Sequence, residues 1–265
     1  MGRTADVGVF LERLSCQTYR KFELIVVDQN ADDRLKPLIA CYADRFTILH
    51  CKSAVGLSRA RNVGILRASG DVIAFPDDDC WYADDLLERV AELFAADCGL
   101  DGVTGCPVGR IYTRLAGASC IVTKWNVFYR AISFTIFLRA HLVRVVGTFD
   151  ESLGLGADSG RIAGEETDYL VRALSHSFRI LYCSSIGVFH QEPPVLYDDC
   201  FNRKSYRYNL AIGHVLRKYR YPFWYILWTW CRAGGGMFLS AISLNCAKTL
   251  YHYHVLKGRI LGWLS

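Results

Sequence analysis

The sequence predicts an α/β fold, a mostly parallel sheet flanked by helices. Three observations predict it. Two β-rich runs, "FELIVVDQN" (22–30) and "DVIAF" (71–75), each lead into acidic residues. Two stretches between and after them, 55–70 and 84–97, carry apolar residues at helical spacing. The links are short, so strand, helix, strand and helix follow one another as in a parallel crossover unit.

Taken in order, "VGVFLERLSCQTY" is helix-like and precedes the first run. In "VGLSRARNVGILRASG" (55–70), Leu57, Ala60, Val63, Gly64 and Leu66 fall near one helical face, and Gly70 is placed to stop the helix. "DVIAF" is a second buried strand, and "DDLLERVAELFAAD" (84–97) a second helix. From about 100 to 160 the pattern loosens, with "TGCPVGRIYTRLAG" and "GLGADSG" predicting an irregular region over the sheet edge. "GEETDYLVRALSHS" (164–177) predicts a helix with an acidic first turn, and "RILYCSSIGVFH" (179–190) strand-like segments ending at His190. The expected division is a body over 1–200 and a helical tail over 201–265.

Composition bounds the function classes. With 265 residues, 52% hydrophobic and 22% charged, the chain has material for a sizeable core and is not a disordered chain. The net charge of +5 hides an asymmetry: residues 201–265 hold ten Lys or Arg and no Asp or Glu, and the rest is acidic overall. Eleven cysteines, an odd number with no C-x-x-C pair, predict free thiols in a reducing compartment rather than a zinc site or a disulfide framework. The N-terminal residues show no secretory signal pattern. There is no G-x-G-x-x-G and no G-x-x-x-x-G-K-[ST], so a dinucleotide enzyme or a P-loop NTPase lacks its basic parts.

Ligands of parallel sheets collect at the carboxyl ends of strands, where Asp28 and the triplet Asp77, Asp78 and Asp79 both fall. Read alone, the triplet is either a Mg²⁺ site for a diphosphate or a solvated acidic turn. Glu165, Glu166 and Asp168 either favour a helix N-terminus, worth roughly 0.3–1 kcal/mol each, or present a carboxylate that takes a proton from a hydroxyl. Arg59, Arg61 and Asn62 either bind phosphate oxygens or decorate a solvated helix. His190 alone reads as structural.

Together and in this order, "CQTYRKFELIVVDQN", "GLSRARNVGILRASGDVIAFPDDDCW", "VVGTFDESLG" and "GEETDYLVRAL" resemble the family 2 glycosyltransferases of the GT-A (nucleotide-diphospho-sugar transferase-like) fold. The resemblance covers about residues 10–190. It implies a nucleotide-sugar donor held by Asp28, Arg59, Arg61, Asn62, Asp77 and Asp78. Mg²⁺ or Mn²⁺ would sit on Asp77 and Asp79, the D-x-D pair, with His190 assisting. Glu166 stands where the family has the Asp of "GED", its general base, a role shared with Glu165 and, less so, Asp168. The implied reaction is an inverting hexosyl transfer by single displacement, to a hydroxyl of a lipid-linked or surface-polysaccharide acceptor. In this family a strand of the type "VSVIIPTYNR" precedes the first helix; here Gly2-Arg3-Thr4 resembles the loop after it. The first strand is therefore expected to be missing and the chain weakly stable or weakly active. The alternative is an inactive GT-A-like binding module. A nucleotidyltransferase should carry a glycine-rich basic loop near the N-terminus, and none is seen.

The tail "RKYRYPFWYILWTWCRAGGGMFLSAISL" (217–244) sets cations beside an aromatic run that Arg232 and three glycines interrupt. It predicts helices lying on a membrane surface, with the alternative of a helical pair packed on the body. No nucleic-acid recognition motif accompanies it. The expected location is cytoplasmic, peripheral at the inner face of the cell membrane.

Overall fold

The structure, a computed structural model, describes residues 4–109, 117–191 and 195–265. Gly2, Arg3 and the 110–116 part of "TGCPVGRIYTRLAG" lie outside them. The chain divides into two compact units: Met1–Val55, Arg59–Phe149 and Tyr169–Glu192 form the first; Gly56–Ser58, Asp150–Asp168 and Pro193–Ser265 form the second.

In the first unit, helix α1 (Thr4–Ser15) buries Phe10, Leu11 and Leu14, the i, i+1, i+4 face that its sequence makes apolar. Gln17, fully buried just past its end, donates from Nε2 to the Ala83 carbonyl at 2.6 Å and accepts from the Leu87 amide at 3.1 Å. Strands β1 (Glu23–Asp28) and β2 (Thr47–Lys52) pair in parallel, Glu23 opposite Thr47 through Asp28 opposite Lys52. Helix α2 (Lys36–Ala40) connects them, with Pro37 at its start. Helix α3 (Leu57–Ile65) stops before Gly70, and strand β3 (Val72–Ala74) follows. Strand β4 (Cys80–Tyr82) comes straight after the acidic triplet, and helix α4 (Leu86–Ala96) buries Leu86, Val90 and Phe94.

The region from 100 to 160 is more regular than the glycines suggest. Strand β5 (Gly102–Val108) is buried over all but its last residue. Strand β6 (Cys120–Ile121), helix α5 (Val127–Arg130), a 3-10 turn (Ser133–Thr135), strand β7 (Ile136–Arg139) and helix α6 (Ala140–Val146) follow. Helix α7 (Glu165–Ser175) and strand β8 (Ile180–His190) complete the elements that reach this unit. Arg172 on α7 donates to the Val146 and Thr148 carbonyls at 2.7 and 2.6 Å, satisfying carbonyls at the end of α6.

The sheet is mixed, which corrects the expectation of mostly parallel strands. Its order is β3-β7-β5-β8-β4, with β6 beside β8. Among the described residues of this sheet, only β5–β8 pairs in parallel; β3–β7, β5–β7, β4–β8 and β6–β8 are antiparallel. The physical reason is that β7 enters after the long 109–135 excursion, and an antiparallel neighbour needs no crossover helix. Strands β1 and β2 form a separate two-stranded sheet. Among the described residues, no strand pairs with the second edge of β1 or of β3. The core joins Leu11 and Leu14 of α1 to Tyr82, Leu86, Val103, Phe137 and Val188.

In the second unit, helices α8 (Asp199–Lys218), α9 (Phe223–Ile242) and α10 (Cys246–Leu264) follow one another through short turns. Asp198 accepts from the Phe201 amide at 2.7 Å, and Asn245 from the Lys248 amide at 3.0 Å, so two of the three helices start on side-chain caps. Helices α8 and α10 approach closely because Gly213, Gly258 and Gly262 lie on the seam; a Cβ on Gly262 would run into the Leu210 carbonyl. Arg259 of α10 ties all three helices, donating to Asn209 Oδ1 at 2.9 Å and to the Thr229 carbonyl at 2.7 Å. All eleven cysteines are free thiols.

Candidate active site

The register of the short strand β4 against the end of the long strand β8 brings a group of polar side chains together in the first unit. Strand β4 pairs with β8 so that Cys80 faces His190. The residue just before Cys80 is Asp79, whose Oδ1 lies 3.1 Å from His190 Nε2. The Gln191 amide then donates to the Asp79 carbonyl at 3.3 Å. Cross-strand stacking of Trp81 on Phe189, with centroids 5.7 Å apart, pins that register. Phe134 stacks on the His190 ring at 4.7 Å and fixes its plane. The hydrogen bond that His190 donates to Asp79 raises the His190 pKa above its ordinary value, against an opposing effect of burial.

Asp77, Asp79 and His190 present ligand atoms that all lie within 4.8 Å of one another. Two carboxylates and an imidazole at half-buried positions suit a borderline divalent ion such as Mn²⁺, so the residues present fit a metal. Asp78, between the two aspartates, is exposed and outside this set. Asp77 also accepts from Arg61 Nη2 at 3.0 Å. The Arg61 guanidinium is itself buried and lies 5.5 Å over the Phe149 ring.

The other residues that the sequence resemblance assigns to a donor have distinct surroundings. Asn62 is buried and exchanges two hydrogen bonds with the Phe149 backbone, 3.0 Å to its carbonyl and 2.7 Å from its amide. It clamps the segment after α6 onto α3. Arg59 is half-buried and donates to the Val55 carbonyl at 3.3 Å. Asp28, at the end of β1, accepts from Lys52 Nζ at 2.7 Å, from the Asn30 amide and Nδ2 at 2.8 Å each, and meets His50 Nε2 at 3.2 Å. Burial pushes the Asp28 carboxyl up, but Lys52, Asn30 and His50 outweigh it and bring the pKa to about 2. His50 and Lys52 were absent from the sequence reading. The parallel register that sets Lys52 opposite Asp28 is the only signal for them, and a single strand does not carry it.

Within the second unit, the first turn of α7 holds Glu165, Glu166 and Asp168, all buried. They sit at a helix N-terminus, where the uncompensated amides favour negative charge. Asp168 is committed: its Oδ1 accepts from Lys218 Nζ at 2.6 Å and from the Tyr219 hydroxyl at 2.7 Å. Lys218 also bonds Asp150 at 2.7 Å. Burial raises the Asp150 pKa, and hydrogen bonds from Lys218 and Ser152 more than reverse it, to about 2. Glu165 lies beside Gly154, whose φ of 97° no side chain adopts comfortably. A Cβ there would stand 3.3 Å from the Glu165 carboxylate, so the bare glycine leaves that carboxylate its place. Sequence reasoning also missed Lys218, which the composition marked only as one cation of the basic tail.

Residues 4–141, more than half of the chain, match the family described as Glycosyl transferase family 2. The chain belongs to that family. Among curated relatives, it is 30% identical over 197 residues to the glycosyltransferase AglE of Haloferax volcanii, an alignment covering 69% of this chain and 62% of AglE. It is 39% identical over 77 residues to WfgD of Escherichia coli, a UDP-Glc:alpha-D-GlcNAc-diphosphoundecaprenol beta-1,3-glucosyltransferase, covering 28% of this chain and 30% of WfgD. The chain thus spans less than two thirds of the length of these curated relatives. Among solved structures, it is similar to the mannosyltransferase PcManGT of Pyrobaculum calidifontis, in complex with GDP-Man and Mn²⁺. The TM-score there is 0.69 at 13% identity, covering 98% of this chain and 83% of PcManGT. A likeness at that identity speaks for the fold, which is GT-A.

Proposed function

We propose that this family 2 chain is an inverting, metal-assisted glycosyltransferase that moves a sugar from a nucleotide-diphosphate sugar to a hydroxyl acceptor. The observation that carries the reading is the convergence of Asp77, Asp79 and His190 at the carboxyl end of β3, beside Arg61. PcManGT, of the same fold, holds GDP-Man with Mn²⁺.

In this reading Asp77, Asp79 and His190 hold Mn²⁺ or Mg²⁺. When bound, the ion supplies Lewis-acid stabilisation of the charge that grows on the departing diphosphate. Arg61 adds a buried cation beside Asp77, and Arg59 a second guanidinium on the same helix for phosphate oxygens. Asp78, exposed next to the ligands, contacts the donor sugar. Asp28, with Lys52 and His50, reads the nucleoside end. Asn62 acts through the Phe149 backbone, as a positioning residue. Glu166 removes the proton of the attacking hydroxyl, with Glu165 as its partner. Asp168 does not serve, because Lys218 and Tyr219 occupy it. The acceptor is a lipid-linked or surface-polysaccharide glycan; the name of WfgD gives a diphosphoundecaprenol-linked GlcNAc as that relative's acceptor, which supports the lipid-linked class. Residues 1–200 form the transferase body, and the helices beyond hold it at the cytoplasmic face of a membrane.

A panel of nucleotide-sugars with Mn²⁺, scored by nucleoside diphosphate release, tests the reading. Release is expected for one donor class, and no release from any donor would overturn it. A second reading, a GT-A-like module that binds donor without turnover, is favoured by the break in pairing between β1 and β3. Calorimetric donor binding with no diphosphate release would select it.

A further inference from the structure

Helix α9 is built inside out for a water-soluble surface. Its buried residues are Tyr225, Ile226, Thr229, Ala233 and Ser240, mostly small or polar. Its opposite face exposes Trp224 (61%), Trp228 (44%), Phe238 (64%), Leu239 (65%) and Ile242 (64%). Positions 224, 228, 231/232, 235, 238/239 and 242 fall on one stripe at helical spacing, so the apolar face runs the full helix, about 30 Å. A soluble helix places these residue classes the other way round. The turn that follows extends the face with Leu244, 88% exposed.

Charge says what covers this face. The only ionisable chains on the stripe are Cys231 and Arg232, and the Arg232 guanidinium rests 4.9 Å over Trp228. At the start of α9, a cleft of about 360 Å³ is lined by Arg217, Arg220, Tyr221, Phe223, Ile226 and Trp263. Residues 201–265 contain no Asp or Glu. A second copy docking through this face would set cation against cation. An anionic lipid surface offers the complement: phosphates for the arginines, acyl chains for Trp, Phe and Leu, and headgroup depth for the indoles. Among the described residues, no helix is long and apolar enough to cross a membrane.

We propose that α9 lies in the plane of an anionic membrane with its Trp224–Trp228–Phe238–Leu239–Ile242 face inward, while Arg217 and Arg220 take lipid phosphates at one end. This deepens the membrane part of the reading above and rests on it; the sugar-transfer chemistry does not depend on it.

The test uses the full chain with vesicles of phosphatidylcholine, with and without phosphatidylglycerol, followed by sedimentation and by tryptophan quenching from brominated acyl chains. Binding is expected to require phosphatidylglycerol. The exposed pair Trp224→Ser/Trp228→Ser should lose quenching and bind at least roughly tenfold more weakly. Arg217→Gln/Arg220→Gln should weaken binding by about fivefold per charge. Inorganic phosphate at matched ionic strength should not compete. Circular dichroism and diphosphate release in the absence of lipid are measured for each variant and should be unchanged. Equal binding of the Trp variant, no binding of the unaltered chain, or displacement by inorganic phosphate would each overturn the proposal. So would a dimer that the Trp variant abolishes without any vesicle binding. Loss of diphosphate release with intact vesicle binding would instead count against the enzymatic reading alone.

Discussion

Lys218 is where the buried charge of the second unit is decided. It joins two carboxylates, Asp150 and Asp168, and the latter is wholly buried and also accepts from the Tyr219 hydroxyl. Replacing Lys218 with Met removes a cationic partner of the buried Asp168. Removing one partner of a buried pair costs several kcal/mol, and Lys218 is one-third exposed, so about 2–3 kcal/mol is expected. Urea unfolding at neutral pH measures it; a loss below about 0.5 kcal/mol would show that water replaces the lysine at no cost. Asp28 gives a pH signature. Its folded pKa, about 2, lies below the ordinary 3.8, so its stabilising effect is complete above 3.8 and fades as pH falls through the folded value. The gap in melting temperature between the unaltered chain and Asp28→Asn should therefore be full at pH 6 and shrink below about pH 4. A gap independent of pH would show that the Asp28 charge contributes nothing. Neither cation partner was readable beforehand: Lys52 meets Asp28 only through β-sheet register, and Lys218 meets Asp168 through packing of α8.

At the scale of elements, the outcome followed how far each pattern is local. Helices α1, α4 and α7 announce themselves by apolar periodicity and an acidic or capped start, and β1 by an unbroken apolar run. Strand β5 does not, because "GVTGCPV" reads as a glycine- and proline-bearing loop. The structure gives the reason. The β5–β8 register shifts between Thr104 and Cys106, and a Cβ on Gly105 would collide with the Ile186 carbonyl. The glycine marks a bulge in a buried strand, and such a mark looks the same in sequence as a turn. Gly105→Ala is expected to lower stability by about 2–4 kcal/mol, since backbone must move in a close-packed core. A melting temperature within a degree of the unaltered chain would contradict the close approach. Strand β4, three residues long, was likewise invisible, although it is the element that carries Asp79 to His190.

For the whole molecule, Asp28, Arg59, Arg61, Asn62 and the acidic triplet belong to one compact unit, and Glu165 and Glu166 to the other. The acidic triplet and the "GEE" turn were both legible as chemistry. The non-equivalence of their carboxylates was legible only through the family resemblance, which also named His190; the partners Arg61 for Asp77 and Lys218 for Asp168 lie far away in the chain and were not. Under the proposed roles binding and turnover are separable, and one paired measurement reads both. Donor affinity in Mn²⁺ and nucleoside diphosphate release are compared for the unaltered chain, Asp79→Ala and Glu166→Gln. Asp79→Ala should lose the Mn²⁺-dependent part of donor affinity together with release. Glu166→Gln should keep donor affinity while release falls by about 10²–10⁴-fold, the usual contribution of a positioned base. Release that survives both substitutions, or a Glu166→Gln variant that loses donor affinity instead, would contradict the assignment of the metal to Asp77, Asp79 and His190 and of the base to Glu166.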